Sequence, residues 1–177
     1  MEENSTPAVT TRSVGVRYGL ILAGISIVYF LTLTLAGVDQ TSGIGRWIPI
    51  VFYIAVIFLA HKNYKEQGDG YMAYGQGMGI TFWLALVSSV IYSIFFYAYI
   101  KFIDSSFVET MKNNEIEKMQ ERGISDEQID QAMGIASMFM TPEAMFGFSL
   151  VFGTIMIVCI GLVVTAFTQN KNPQATD

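Results

Sequence analysis

Nine carboxylates crowd one stretch of this chain: Asp104, Glu109, Glu115, Glu117, Glu121, Asp126, Glu127, Asp130 and Glu143. Carboxylates at alternating positions around a turn glycine would hold calcium, and a convergent pair would serve acid–base chemistry. These are instead strung along helical stretches and mixed with Lys112, Lys118 and Arg122, the pattern of a solvated helical face. An acid pair at a span edge, Asp104 with Glu143, would revive acid–base chemistry only if the fold brought the two together in a pocket. The same stretch carries Met111, Met119, Met133, Met138 and Met140, with Met145 just beyond. Thioethers bind Cu(I), but no His or Cys stands near them, and residues two apart do not share a helix face. Flexible apolar filling is the preferred reading. His61 and Cys159 are each the only residue of their type. His61, beside Lys62 at the end of an apolar run, reads as an interfacial residue. Cys159, inside an apolar run, reads as a small apolar one. No serine triad, phosphate loop or HExxH pattern is present. The expectation is a protein with no catalytic, cofactor-binding or metal-binding residues, and not an enzyme.

Small residues give a different signal. Gly15 and Gly19 are four apart, as are Gly75 and Gly79, with Gln76 between the latter. That spacing lets membrane helices approach closely. The cluster Gly75-Gln76-Gly77-Met78-Gly79 has the glycine spacing of a nucleotide loop, but no strand precedes it and an apolar run follows. Gly15, Gly19, Gly75 and Gly79 are therefore expected to pack helices, and the Gln76 amide to bridge them at the membrane interface.

The elements that would hold these residues are legible from where charge is missing. Of 177 residues, 52% are hydrophobic and 14% charged, against about 25% charged in an average soluble domain. Residues 18–38, 78–100 and 144–167 contain no charge at all, in runs of 21, 23 and 24 residues. At about 1.5 Å of helical rise per residue, each run spans the roughly 30 Å hydrocarbon core of a bilayer. Only helices satisfy the backbone there without closing a barrel. A fourth run, residues 44–60, is shorter. Pro49 falls in its first turn, Arg46 can snorkel at its edge, and Trp47 and Tyr64 flank it as interfacial aromatics. It reads as a short true span, the alternative being a re-entrant loop. The first run is too long, and its leader too poor in net positive charge, for a signal peptide. Residues 1–11 and 171–177 look disordered.

Between the third and fourth spans lies a polar excursion, residues 101–143. It holds four basic and nine acidic residues and so accounts for the whole net charge of −5. Two amphipathic helices are expected in it. One runs over 105–121 and stops before Gly123 as a C-cap glycine would suggest. The other starts at Ser125, where Ser125-Asp126-Glu127-Gln128 matches a capping box. Arg12, Arg17, Lys62, Lys65 and Lys171 lie close to span edges on one side, whereas only Arg46 and Lys101 do so on the other. The positive-inside rule then puts both termini in the cytoplasm. An acidic chain without a basic patch is not a nucleic-acid binder.

The segment Gly70-Tyr71-Met72-Ala73-Tyr74-Gly75-Gln76-Gly77 leads into a span that ends in Tyr99-Ile100-Lys101-Phe102-Ile103-Asp104. A helical loop with Gly123-Ile124-Ser125-Asp126-Glu127-Gln128-Ile129 follows, then the last span. This order resembles the bacterial four-helix integral membrane family called domain of unknown function 4199, over roughly residues 12–170. The resemblance implies a multi-pass protein of the bacterial inner membrane and carries over no catalytic residue, cofactor or substrate. The whole reading is an all-α polytopic membrane protein: four transmembrane helices with a two-helix loop between the third and fourth. Its partners are the lipid bilayer and either further copies of itself or another membrane protein. It is expected to act through those contacts; the alternative is a small oligomeric channel or carrier for an ion or small solute.

Overall fold

A computed structural model describes residues 9–38, 45 and 47–172. Its elements, in order, are α1 (Thr11–Leu35), α2 (Ile48–Gln67), α3 (Tyr74–Ala98), α4 (Phe107–Glu121), α5 (Asp126–Phe139) and α6 (Pro142–Thr168). Among the described residues there is no β-strand, only an isolated antiparallel bridge between Met72 and Asn170. Three stretches are long and apolar enough to cross a membrane: Thr11–Leu35, Tyr74–Ile103 and Pro142–Thr168.

The helix boundaries have local causes. α1 begins seven residues earlier than the charge-free run, because Thr10 and Ser13 form a reciprocal capping box. The Ser13 amide donates to Thr10 Oγ1 at 3.0 Å and the Thr10 amide to Ser13 Oγ at 3.3 Å. Thr11, expected at the end of a disordered leader, is helical; residues 1–8 and 173–177 lie outside the described residues. α2 has Trp47 as N-cap and Pro in its first turn, and it continues seven residues past Ala60, through His61, Lys62 and Lys65. Residue 44 and Arg46, at the start of the expected second span, are outside the described residues. α3 starts at Tyr74 rather than at 78, and Tyr99–Ile103 continues it as a π-helical turn closed by Asp104 N–H donating to the Tyr99 carbonyl at 2.9 Å.

α4 ends at a glycine for a steric reason. Gly123 has φ +74°, a conformation costly for side chains with a Cβ. That turn lets Gly123 N–H reach the Gln120 carbonyl at 2.9 Å and Ile124 N–H the Met119 carbonyl at 3.1 Å, satisfying the last carbonyls of the helix. At α5 the expected capping box does not form. Ser125 makes no cap to the backbone; its hydroxyl donates to Gln128 Oε1 at 3.2 Å instead. The two side chains bond each other and leave the first-turn amides to solvent.

The chain divides into two compact units, residues 1–92 with 151–177 and residues 93–150. In the first, all four of α1, α2, α3 and α6 supply the core: Val14 and Leu22, Val56, Ile57 and Ala60, Ile80, Leu84 and Ala85, Ile157 and Val164, with Met72 from the α2–α3 turn. α1 runs parallel to α3, since Gly15 lies on Ile80 and Trp83 while Gly19 lies on Leu84 and Val87. α2 runs antiparallel to α1. Near one end Val9 approaches Gly68. Near the other, the Tyr29 and Phe52 rings meet edge to face at 5.5 Å, and Tyr29 OH donates to the Gly45 carbonyl at 2.7 Å. α6 runs antiparallel to α3, with Gly77 against Thr165, Thr81 against Gly161 and Ser89 against Gly153. In the second unit, Phe107 of α4 packs edge to face on Phe96 at 5.8 Å and on Tyr99 at 6.3 Å. Ile129 is the buried residue of α5.

Candidate functional site

The first unit hides the one imidazole of the sequence. His61 is fully buried, although its place after the apolar run suggests a membrane edge. The reason is the extension of α2. On a continuing helix His61 falls on the stripe of Ile57 and Ala60, and the Met72–Asn170 bridge closes the α2–α3 turn and the end of α6 together beside it. Two backbone bonds make that bridge, Met72 N–H to the Asn170 carbonyl at 2.8 Å and Asn170 N–H to the Met72 carbonyl at 2.9 Å.

Both ring nitrogens of His61 find partners from other helices. Nε2 lies 3.0 Å from the Gly77 carbonyl oxygen and 3.3 Å from Thr81 Oγ1. A carbonyl only accepts, so Nε2 carries the proton. Nδ1 lies 2.8 Å from Thr168 Oγ1. The Thr168 hydroxyl has one proton and two acceptors in reach, His61 Nδ1 and the Val164 carbonyl at 2.9 Å. Giving the proton to Nδ1 leaves the ring neutral. Giving it to Val164 would leave Nδ1 either without a donor or protonated on a charged ring among uncharged acceptors in a sealed site, and both are costly. The neutral ring is the assignment that fits. Lys65, one turn further along α2, donates to the Thr168 carbonyl at 3.1 Å. It thereby satisfies a carbonyl at the negative end of α6. Thr165 Oγ1, on α6 one turn before Thr168, is buried with no hydrogen-bond partner among the described residues.

The expected helix-packing residues fare differently from one another. A Cβ at Gly15 would fall 2.6 Å from Trp83 Cβ and 2.7 Å from the Ile80 carbonyl oxygen, and one at Gly19 2.9 Å from the Leu84 carbonyl oxygen. Both glycines therefore sit where α1 and α3 touch. Gly75 does not: a Cβ there meets nothing within 4 Å. Gly79 makes only ordinary contact with Thr11, at 3.5 Å. The close approach at the start of α3 is at Gly77, where a Cβ would lie 2.6 Å from Thr165 Cγ2. Gln76 does not bridge helices; its Oε1 accepts from the Ala73 amide at 2.8 Å and caps α3 locally. The tightest of these contacts, Gly161 against Thr81, follows from a ladder of small residues four apart, Gly77-Thr81-Ala85-Ser89 facing Gly153, Gly161 and Thr165. That periodicity is present in the sequence and is the readable signal for the α3–α6 seam.

In the second unit, Lys101, Tyr97 and Glu143 form a closed triangle. Lys101 Nζ donates to Glu143 Oε1 at 2.9 Å and also to Tyr97 OH, which donates to the same carboxylate oxygen at 3.2 Å. The ammonium stands 4.8 Å from the centre of the Tyr97 ring. Asp104 accepts the Ser106 hydroxyl at 2.7 Å and the Ser106 amide at 3.1 Å. The two carboxylates are thus each engaged elsewhere rather than with one another. Among the described residues no three His, Cys, Asp or Glu side chains gather where they could hold a metal.

These features define an all-helical protein with three helices suited to a membrane and a buried histidine centre. Residues 17–170 match the family described as protein of unknown function (DUF4199), and the chain belongs to that family. No curated protein and no solved structure matches it.

Proposed function

We propose that the chain is a four-span integral membrane protein without enzymatic activity, acting through contacts with further copies or with another membrane protein. The observation that supports this best is the course of α2. It meets α1 near both ends, at Val9–Gly68 and Tyr29–Phe52, so if α1 crosses a bilayer, α2 returns through it. Twenty residues, Ile48–Gln67, give roughly 30 Å of helix. Large apolar side chains point outward from all four helices, among them Val28, Val51, Phe82 and Val163, as lipid-facing or subunit-facing positions do. Inside, His61 is consumed by hydrogen bonds that tie α2 to α3 and α6.

The contacts Val9–Gly68, Thr11–Gly79 and Met72–Asn170 gather the start of α1, the α2–α3 turn and the end of α6. Arg12, Arg17, Lys62, Lys65 and Lys171 lie on or next to these segments, which favours a cytoplasmic position for that end and for both termini. In a Cys159→Ser background, Ser125→Cys should react with an impermeant maleimide on intact cells and Gln67→Cys only after lysis. The reverse pattern would invert the orientation, and equal reaction of both would sink the four-span reading. Cross-linking in native membranes that captures neither a second copy nor another protein would sink the assembly reading.

One observation favours the alternative of a small carrier. Thr165 Oγ1 and Ser89 Oγ are buried without partners among the described residues, and unsatisfied hydroxyls between helices can line a polar path. Solute or ion flux into proteoliposomes above that of empty vesicles would support this reading over the first.

A further inference from the structure

The Lys101–Glu143 triangle borders a cleft of about 270 Å³ lined by Tyr97, Glu143 and Phe146. We propose that this cleft binds the phosphoethanolamine headgroup of a membrane phospholipid. The inference rests on α3 and α6 crossing the bilayer, since the cleft sits at the C-terminal end of the one and the first turns of the other.

The volume falls below the roughly 300–1,000 Å³ typical of sites for whole drug-sized ligands, so it suits a headgroup. Tyr97 and Phe146 meet edge to face at 5.9 Å and form an apolar wall. The charged pair is not exhausted by its own contact. An ammonium has three donors and a carboxylate about four acceptor sites. Lys101 spends two donors, on Tyr97 and Glu143, and the two side chains are 41% and 63% exposed. Lys101, bonded to the lining residues Tyr97 and Glu143, thus brings a spare N–H donor beside the spare acceptors of a carboxylate that lines the cleft, a pair of opposite charges. A ligand carrying a phosphate and a primary ammonium on a short spacer matches both at once. A purely anionic headgroup would satisfy Lys101 but be repelled by Glu143. A trimethylated ammonium could not donate to the carboxylate. The backbone beside the site is the π-helical turn Tyr99–Ile103, a distortion that recurs at functional sites. It leaves Phe102 and Ile103 exposed, where acyl chains would lie.

The test is native mass spectrometry of the delipidated full-length protein in detergent, titrated with phosphatidylethanolamine, phosphatidylglycerol and phosphatidylcholine of matched chains. Phosphatidylethanolamine should bind about tenfold tighter than the other two, the scale of one charge-assisted hydrogen bond. Glu143→Gln should erase its advantage over phosphatidylcholine, and Lys101→Met should weaken both phosphatidylethanolamine and phosphatidylglycerol. Unchanged circular dichroism would show that each variant still folds. Phe146→Leu, which keeps an apolar wall, should retain selectivity even if another variant fails to fold. Equal binding of the three lipids by the unaltered protein would overturn the proposal. Saturation by soluble phosphoethanolamine, with no preference among lipids, would overturn the lipid as source.

Discussion

His61 Nδ1 and Thr168 Oγ1 lie 2.8 Å apart across 107 residues of sequence, in a site closed to solvent. The bond joins the C-terminal part of α2 to the last residue of α6, and the opposite side of the ring holds the Gly77 carbonyl of α3. Three helices therefore meet on one imidazole.

Removing that ring should be costly. His61→Ala leaves a cavity and strips Thr168 and Thr81 of a partner, for an expected loss of about 2–4 kcal/mol in detergent unfolding. Thr168→Val removes only the hydroxyl. Interhelical hydrogen bonds in membrane proteins average about 0.6 kcal/mol with a maximum near 1.7, so this change should cost less than half as much. Thr168→Ser, which keeps the oxygen, should be close to neutral. A larger loss for Ser than for Val would mean that the methyl group, not the hydrogen bond, is what matters.

The glycines divide sharply. Alanine at Gly77 or Gly161 must displace Thr165 or Thr81, and overpacking of this kind costs about 1–3 kcal/mol. Gly75→Ala meets nothing within 4 Å, so in a helix it should be neutral or stabilise by roughly 0.5–1 kcal/mol. A thermal melt of the two neighbours, Gly75→Ala and Gly77→Ala, checks this directly: the shifts should have opposite sign or differ by several degrees.

That contrast also marks how far the sequence is legible. Missing charge locates α1, α3 and α6, because a long charge-free run has few other physical explanations. GxxxG spacing points to Gly15 and Gly19, which do touch α3. At the start of α3 it points to Gly75 and Gly79, whereas the close approach falls on Gly77. The spacing of two glycines says nothing about which face meets a neighbour; only the longer ladder from Gly77 to Ser89 does. His61 reads as a membrane-edge residue because it follows the last apolar residue of its run. Its burial depends on the turn of helix after Ala60 and on the distant strand-like pairing of Met72 with Asn170. Neither is a property of the residues next to His61.

Lys65 provides a separate test of how α6 ends. Its ammonium donates to the Thr168 carbonyl at 3.1 Å, where a positive charge at a helix C-terminus contributes about 0.3–1 kcal/mol. Lys65→Met keeps the aliphatic stem and should cost that much. Lys62→Met, whose exposed pair with Glu66 spans 3.7 Å, should cost less, because such surface pairs contribute about 0–1 kcal/mol and weaken in salt. Raising the salt concentration should narrow the gap between the unaltered protein and the Lys62 variant more than the gap to the Lys65 variant, whose bond is half-buried.

The helix starts offer the last comparison. Thr10 accepts the Ser13 amide at 3.0 Å, so Thr10→Ala leaves an amide of the first turn without its partner and should cost about 1 kcal/mol. Ser125 begins a sequence equally suggestive of a cap, Ser-Asp-Glu-Gln, yet its hydroxyl is turned to Gln128 and makes no backbone cap. Ser125→Ala should therefore cost under about 0.5 kcal/mol, as a surface substitution does. Asp126 and Glu127, in the first turn of α5, lie where the helix dipole favours negative charge. Neutralising both as Asp126→Asn and Glu127→Gln should destabilise α5 more than losing the serine does. Hydrogen exchange at the α5 amides reads the three variants side by side; faster exchange in Ser125→Ala than in the double variant would mean that the hydroxyl caps α5 in solution after all.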